Sequence, residues 1–346
     1  MAIKASGTSL SFSEIRTEFG PNVGSIGVSL GRYRNSDSNF SNKNVGSLTD
    51  LPLDTGVPKT GQIKVSDFYT KKLNIIVDFY SSGPETRVSA SNRYAANGGT
   101  KVVGGYTSRP TSPAGKRVII NVNKKIGSET GGNDRCALRT GGWSPQTSSL
   151  ELEVGSNGKI YGAGGDGGNG GSASGGNGLN GEAGSSALGV ETSKLTKINN
   201  LGRIQAGYGG GGGGGGRRRY VKTGKKSGRW NGSTGGGGGA GAGYPNGNGG
   251  DSPTGAYGGG SNGSDGGDGT DQTSGARGAG GNDAGRGGDG QTVNNSSTKA
   301  QDGQSTGGSG GTGGNGGYAI ITSQGSLPTF TGNAVIGRTK TNSNPQ

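Results

Sequence analysis

The side chains best suited to recognition chemistry are concentrated in one stretch, Arg217-Arg-Arg-Tyr-Val-Lys-Thr-Gly-Lys-Lys-Ser-Gly-Arg-Trp230. It carries seven positive charges, from Arg217, Arg218, Arg219, Lys222, Lys225, Lys226 and Arg229, together with Tyr220 and Trp230, and no acid. Guanidinium groups bind carboxylate and phosphate through paired hydrogen bonds. Aromatic faces beside such cations suit sugar rings and charged groups. A second excursion, from Tyr244-Pro-Asn-Gly to Gly255-Ala-Tyr257, presents two more tyrosines, Tyr244 and Tyr257. These residues are the candidate recognition set. A third excursion, residues 291–302, is polar.

Other chemistries lack their groups. There is no His and only one Cys, Cys136, so disulfides, histidine acid–base catalysis and zinc sites are not expected. Asp265 and Asp268 are the candidate carboxylates for glycoside hydrolysis, which needs two held about 5–10 Å apart, but they lie in glycine loops with no sign of a cleft. A calcium-binding β-roll needs Gly-Gly-x-Gly-x-Asp repeats, and no run of them occurs. The expectation is a non-enzyme without cofactor or metal. The net charge of +13 raises nucleic-acid binding, but the charge gathers largely in one loop and Arg is rarely set in repeated Arg-Gly-Gly.

The elements that must position these loops are unusual. Of 346 residues 85 are Gly, hydrophobic residues make up 25% and aromatics 5%, far below the roughly 45–50% apolar content of an average domain. One large apolar core is excluded, and so is collagen, for want of proline and a strict Gly-X-Y period. No apolar stretch approaches the ~20 residues of a membrane span, and the start of the chain lacks the apolar core of a signal peptide.

Composition divides the chain into a module over 1–72, a β domain over 73–154, a glycine-rich domain over 155–325 and a C-terminal cap over 326–346. Ser11-Phe-Ser-Glu14 fits a capping box, with Phe12, Ile15 and Phe19 on one face of the predicted helix before Gly20-Pro21. Two related phrases, Ile26–Tyr33 and Ile63–Tyr69, each end in an aromatic. Strands are predicted over 73–80, 86–94, 101–106, 116–123 and 150–154, with Gly, Pro, Ser and Asn between them, which suggests an antiparallel sandwich. Cys136 reads as a small buried apolar residue.

In the glycine-rich region the phrase Val154…Gly158-Lys-Ile160 recurs as Ile198…Gly202-Arg-Ile204, each followed by a glycine run, with an echo at Phe330–Ile336. This predicts a repeated hairpin plus glycine tract. Gly164-Gly-Asp-Gly-Gly-Asn-Gly-Gly-Ser172 has a period of three, matching polyproline-II geometry. Ordering each residue costs roughly 1–2 kcal/mol and a net backbone hydrogen bond returns about 0.5–1.5 kcal/mol. One tract alone stays disordered, whereas several locked side by side on a β framework order. The expected fold is thus mainly β and irregular: a small helical N-terminal module, an antiparallel β-sandwich, then a stacked polyglycine-II helix sandwich.

The residues Ser9–Gly20, Val28–Tyr33 and Val57–Tyr69 resemble a short N-terminal module of structural proteins of tailed phages, marine cyanophages especially. Gly158–Gly171 is similar to the glycine-rich domain of phage tail-fibre proteins and of T-even-type tail-fibre tip adhesins, whose glycine motifs form stacked polyglycine-II helices and whose loops bind the host surface. The resemblance implies a tail-fibre or receptor-binding protein of the virion, assembled in the host cytoplasm. It implies docking to other virion proteins through the N-terminus, with Phe12, Ile15, Phe19, Tyr33, Phe68 and Tyr69 as candidates. The outward partner would be bacterial surface polysaccharide or an outer-membrane protein. A non-adhesive structural virion component, such as a capsid decoration or tail accessory, is the alternative; a trimer and a monomer on a fibre both fit. The tracts here depart from the strict triplet at the unbroken Gly209–Gly216 and the irregular Gly258–Gly290, which leaves helix number and order open.

Overall fold

The computed structural model describes residues 4–19, 30, 57–58, 61–71, 74–79, 84–97, 113–222, 227–280, 284 and 307–346. The predicted strand over 101–106 lies outside them, as do Gly20-Pro21 and most of the Ile26–Tyr33 phrase. Helix α1, Phe12–Phe19, starts as its sequence requires. The Ser11 amide donates to Glu14 Oε2 at 2.8 Å and the Glu14 amide to Ser11 Oγ at 3.3 Å. Lys4 Nζ lies 2.7 Å from Glu14 Oε1. Lys4 first, and the Ser11 hydrogen bonds second, hold the Glu14 carboxyl down at about 2. Residues 61–71 pack back on this segment: Phe68, in a 3-10 turn over Val65–Phe68, is buried, and the Tyr69 hydroxyl donates to the Thr8 carbonyl at 2.6 Å.

Sixteen strands follow among the described residues: β1 Ile75–Phe79, β2 Glu85–Thr86, β3 Val88–Ser89, β4 Arg117–Val122, β5 Lys125–Gly127, β6 Cys136–Arg139, β7 Ser149–Val154, β8 Lys159–Tyr161, β9 Ser186–Val190, β10 Leu195–Asn200, β11 Arg203–Gln205, β12 Arg217–Lys222, β13 Gly228–Ser233, β14 Tyr318–Thr322, β15 Thr329–Gly332 and β16 Arg338–Lys340. They form sheets in the orders β1-β4-β7-β10-β15, β11-β8-β5-β2 and β16-β14-β9-β6-β3, plus the pair β12-β13. Every pairing in the three larger sheets is parallel; only β12–β13 is antiparallel. The chain visits the three sheets in rotation, and each circuit lays one new strand on each sheet except the last, in which β15 and β16 are joined through Ile336, an isolated bridge to Gln205 of the second sheet.

The expected fold is therefore corrected. Four sheets, nearly all parallel, stand where an antiparallel sandwich followed by a stacked polyglycine-II sandwich was expected. Short gaps between strands suggested hairpins, because parallel neighbours ordinarily need a crossover of a dozen or more residues. Here consecutive strands belong to different sheets, so a tight turn suffices, and the parallel partner arrives one circuit later. The repeated phrase is this turn and not a hairpin: β7 turns at Gly158 into β8, β10 turns at Gly202 into β11, and Ile160 pairs with Ile204. The strand expected over 86–94 is also corrected. It breaks after Ser89 into helix α2, Ala90–Asn97, whose alanines favour a helix and whose Ala90 enters the core.

The exclusion of one large apolar core is corrected as well: the few apolar residues are concentrated in the strands, and a single apolar core lies between the three sheets. Its residues stack in register: Val77, Ile120, Leu152 and Ile198 on the first sheet, Ile126, Ile160 and Ile204 on the second, Leu138, Leu188 and Ile320 on the third. Burying each such side chain stabilises by about 1.5–3 kcal/mol. On the other side of the first sheet runs a polar ladder. Asn121 donates to Asp78 Oδ1 at 3.0 Å, Asn199 to Glu153 Oε2 at 2.7 Å and Thr331 to Asn199 Oδ1 at 3.1 Å. Cys136 is buried at the start of β6 in the third sheet, and burial pushes its thiol up to about 12.

The glycine tracts are insertions in these circuits, between β8 and β9 and between β11 and β14. They bond to one another through backbone amides at three-residue steps. In the tract 207–216, Gly207, Gly210, Gly213 and Gly216 donate to the carbonyls of Ser185, Glu182, Leu179 and Gly176. Gly211 and Gly214 donate to Gly239 and Gly236. The same tract accepts from Gly165, Gly168 and Gly171 on one side, and from Gly308, Gly311, Gly314 and Gly317 on another. Backbone closes on it from four neighbours, every one of its residues is buried, and a Cβ on Gly213 would overlap the Asn169 carbonyl. Unbroken glycine is the sequence of a tract with no outward face.

Peripheral tracts regain side chains at the position that faces outward. Asp166 and Asn169 use it to accept the Asn248 and Asp251 amides at 2.7 and 2.9 Å; Asn177 and Asn180 take those of Ser309 and Thr312, both at 2.8 Å. Gly213→Ala is expected to destabilise by at least about 4 kcal/mol, since both clashing groups are backbone, while Thr312→Ala, on an exposed position, stays within about 0.5 kcal/mol; denaturant melts of the full chain measure both. Glu14 binds its proton more weakly when folded, so its contribution is present above about pH 4.5 and lost as pH falls toward 2. An NMR titration is expected to give a midpoint near 2, moving upward in Lys4→Ala.

Candidate recognition hairpin

Strands β12 and β13 grow directly out of two buried tracts. The tract 207–216 enters at Arg217 and the tract 235–243 leaves after Thr234, and the two are cross-bonded from Gly214–Gly236 to Tyr208–Ala242. The hairpin is thus held at its base by backbone, and side chains begin where the tracts end. Arg217 is buried at that base, pairs with Ser233 and bridges Gly307. Burial, and then the nearby charge of Arg219, pull its pKa below the ordinary arginine value.

Cross-strand partners share a face. Arg218 is opposite Gly232 and Tyr220 opposite Trp230, and Gly232 bridges Tyr257 on its other side. Arg218, Tyr220, Trp230 and Tyr257 therefore stand on one face. The alternation in Gly228-Arg-Trp-Asn-Gly232 makes room for them. A Cβ on Gly228 would run into the Tyr220 ring, and one on Gly232 into the Ala173 carbonyl and the Tyr257 ring. Tyr220 and Trp230 meet edge-on, with centroids 5.1 Å apart at 63°, and the Arg218 guanidinium lies 4.2 Å over the indole. The rings remain open to solvent: Tyr220 is 46% exposed, Trp230 45% and Tyr257 38%. Asn231, on the opposite face, accepts the Gly259 amide at 2.9 Å and ties the 257–259 turn to the hairpin.

The sequence-based set is thus partly brought together. Arg217, Arg218, Arg219, Tyr220, Arg229 and Trp230 share the hairpin, Lys222 ends β12 opposite Gly228, and Tyr257 joins from the next segment. Lys225 and Lys226 lie outside the described residues. Tyr244 is elsewhere, half-buried beneath Lys125 Nζ at 4.1 Å and against Gly127 of the β framework. Of the docking candidates, Ile15 and Phe68 are fully buried, Phe12 and Tyr69 half-buried, Phe19 ends α1, and Tyr33 is outside the described residues. The two glycines under the rings were missed; their alternate spacing around Trp230 was the available signal.

Among the described residues no group of three or more His, Cys, Asp or Glu could hold a metal ion. No helix is long and apolar enough to cross a membrane. No protein-family model matches the chain, and no match to a curated protein was found. Among solved structures, the chain is similar to the crystal structure of the gp37-gp38 adhesin tip complex of the bacteriophage S16 long tail fiber, at 20% identity over 82% of this chain and 89% of that one, with a TM-score of 0.37.

Because their rings rest on an exposed face and not in the core, Tyr220→Ala and Trp230→Ala are each expected to lower stability by no more than about 1.5 kcal/mol, the upper range for an aromatic pair. Thermal unfolding of the two variants measures this.

Proposed function

We propose that the chain is a non-enzymatic tail-fibre or receptor-binding protein of a phage virion. Its N-terminal region docks to other virion proteins, and its hairpin is turned to the bacterial surface, where the partner is surface polysaccharide or an outer-membrane protein. The observation that carries this reading is the exposed face of Arg218, Tyr220, Trp230 and Tyr257 mounted on buried, backbone-bonded tracts. Loops on a rigid scaffold are where recognition concentrates, and solvent-exposed aromatic rings beside arginines are typical of binding hot spots. The resemblance of Ser9–Gly20 and Gly158–Gly171 to phage virion proteins supports the same reading.

The test is adsorption. Fluorescently labelled full chain is applied to a panel of bacterial strains beside Tyr220→Ala/Trp230→Ala. The parent is expected to decorate at least one strain, and the double variant to lose that binding tenfold or more while keeping its thermal transition. Adsorption by both proteins alike, or by neither on any strain, would overturn the reading.

A further inference from the structure

We infer that the hairpin face binds an acidic polysaccharide, stacking sugar rings on Tyr220, Trp230 and Tyr257 and holding their carboxylate or phosphate groups by arginine; this rests on the adhesive reading above and names its target. Two features select the occupant. The first is charge: residues 217–233 contain no Asp or Glu, Arg218 stands on the aromatic face, and Arg219 and Arg229 stand on the other face of the same two strands. A neutral glycan would give such a hairpin nothing to neutralise. The second is shape. The three aromatics belong to successive rows of the same face, Tyr220–Trp230 and, two positions along, Gly232–Tyr257, with Arg218 in the second row and 4.2 Å over the indole. Ring faces and a planar, forked cation therefore alternate across neighbouring rows of one open face.

A pyranose ring offers an apolar C–H face to an aromatic ring while its acidic substituent projects from the rim, where a guanidinium can bind it through two hydrogen bonds. The face is also the wrong kind for a large protein partner. A stable protein interface buries about 1,200–2,000 Å² in total around an apolar centre, whereas this face offers three half-exposed rings and one guanidinium. Gly228 and Gly232 keep Tyr220 and Tyr257 low over the strand, so that a chain of sugars can lie across both rows.

The experiment uses the full chain and three polymers: polygalacturonate for carboxylate, poly(glycerol phosphate) for phosphate and dextran as the neutral control. Affinity is measured by titration calorimetry at two salt concentrations. At least one acidic polymer is expected to bind ten times more tightly than dextran or better, and to weaken as salt screens the charges. Trp230→Ala is expected to lose tenfold or more. Arg218→Lys, which keeps the charge but not the fork, is expected to lose several-fold. A merely cationic surface would be indifferent to both substitutions, so unchanged affinity in both overturns the inference, as does equal binding of dextran. If the full chain adsorbs to cells through the hairpin but binds neither acidic polymer, and instead binds detergent-extracted outer-membrane protein, the inference fails and the adhesive function stands. If no strain is decorated at all, the adhesive function itself fails.

Discussion

The structure depends on backbone approaching backbone more closely than any side chain permits. In the tract 207–216 an amide leaves toward one neighbour or another as the chain advances, and carbonyls receive amides from two more. Hydrogen is the only substituent that fits between them. Within the glycine tracts this arrangement stands in for apolar burial, in a chain that is only 25% hydrophobic. Its weakness is entropy: fixing a residue costs roughly 1–2 kcal/mol, about what one hydrogen bond returns or somewhat more. Free tracts would therefore not hold. They hold because both ends of each insertion are tied to strands of a conventional apolar core.

That core is economical. Each of the first four circuits adds a strand to three sheets, so residues such as Ile160 and Ile204 lie far apart in sequence and directly next to one another in register. The insertions leave at the same corner of successive circuits, after β8 and after β11, and return at β9 and β14. Stacking the circuits thus stacks the tracts, and the amide bonding between tracts inherits its register from the strands.

Much of this was legible in the sequence, in pieces. The capping box at Ser11 and Glu14, the strands around Val118 and Leu152, and the basic, aromatic character of the hairpin were all readable from residue type and spacing. The sheet arrangement was not. Short, turn-bounded β segments are shared by antiparallel sandwiches and by three-sided circuits, and what separates them is whether the next strand returns to the same sheet. The repeat at Gly158 and Gly202 held that information, since identical turns recurring one circuit apart are what stacked strands require. Tyr244 and Tyr257 looked equivalent in sequence, and only tertiary placement separates the one under Lys125 from the one beside Gly232.

The unbroken tract Gly209–Gly216 has one further consequence. Eight identical residues carry no positional label, so sliding this segment by one period against its neighbours changes almost none of its own contacts. Alignment has to be dictated from outside, by Ile204 in its sheet at one end and the first side chains of the hairpin at the other. The segment thus resembles an unmarked ruler between two fixed clamps. Adding or removing one period in both this tract and the tract 235–243 cross-bonded to it would translate the hairpin by at most about 10 Å, so its reach is adjustable in discrete increments independently of its side chains.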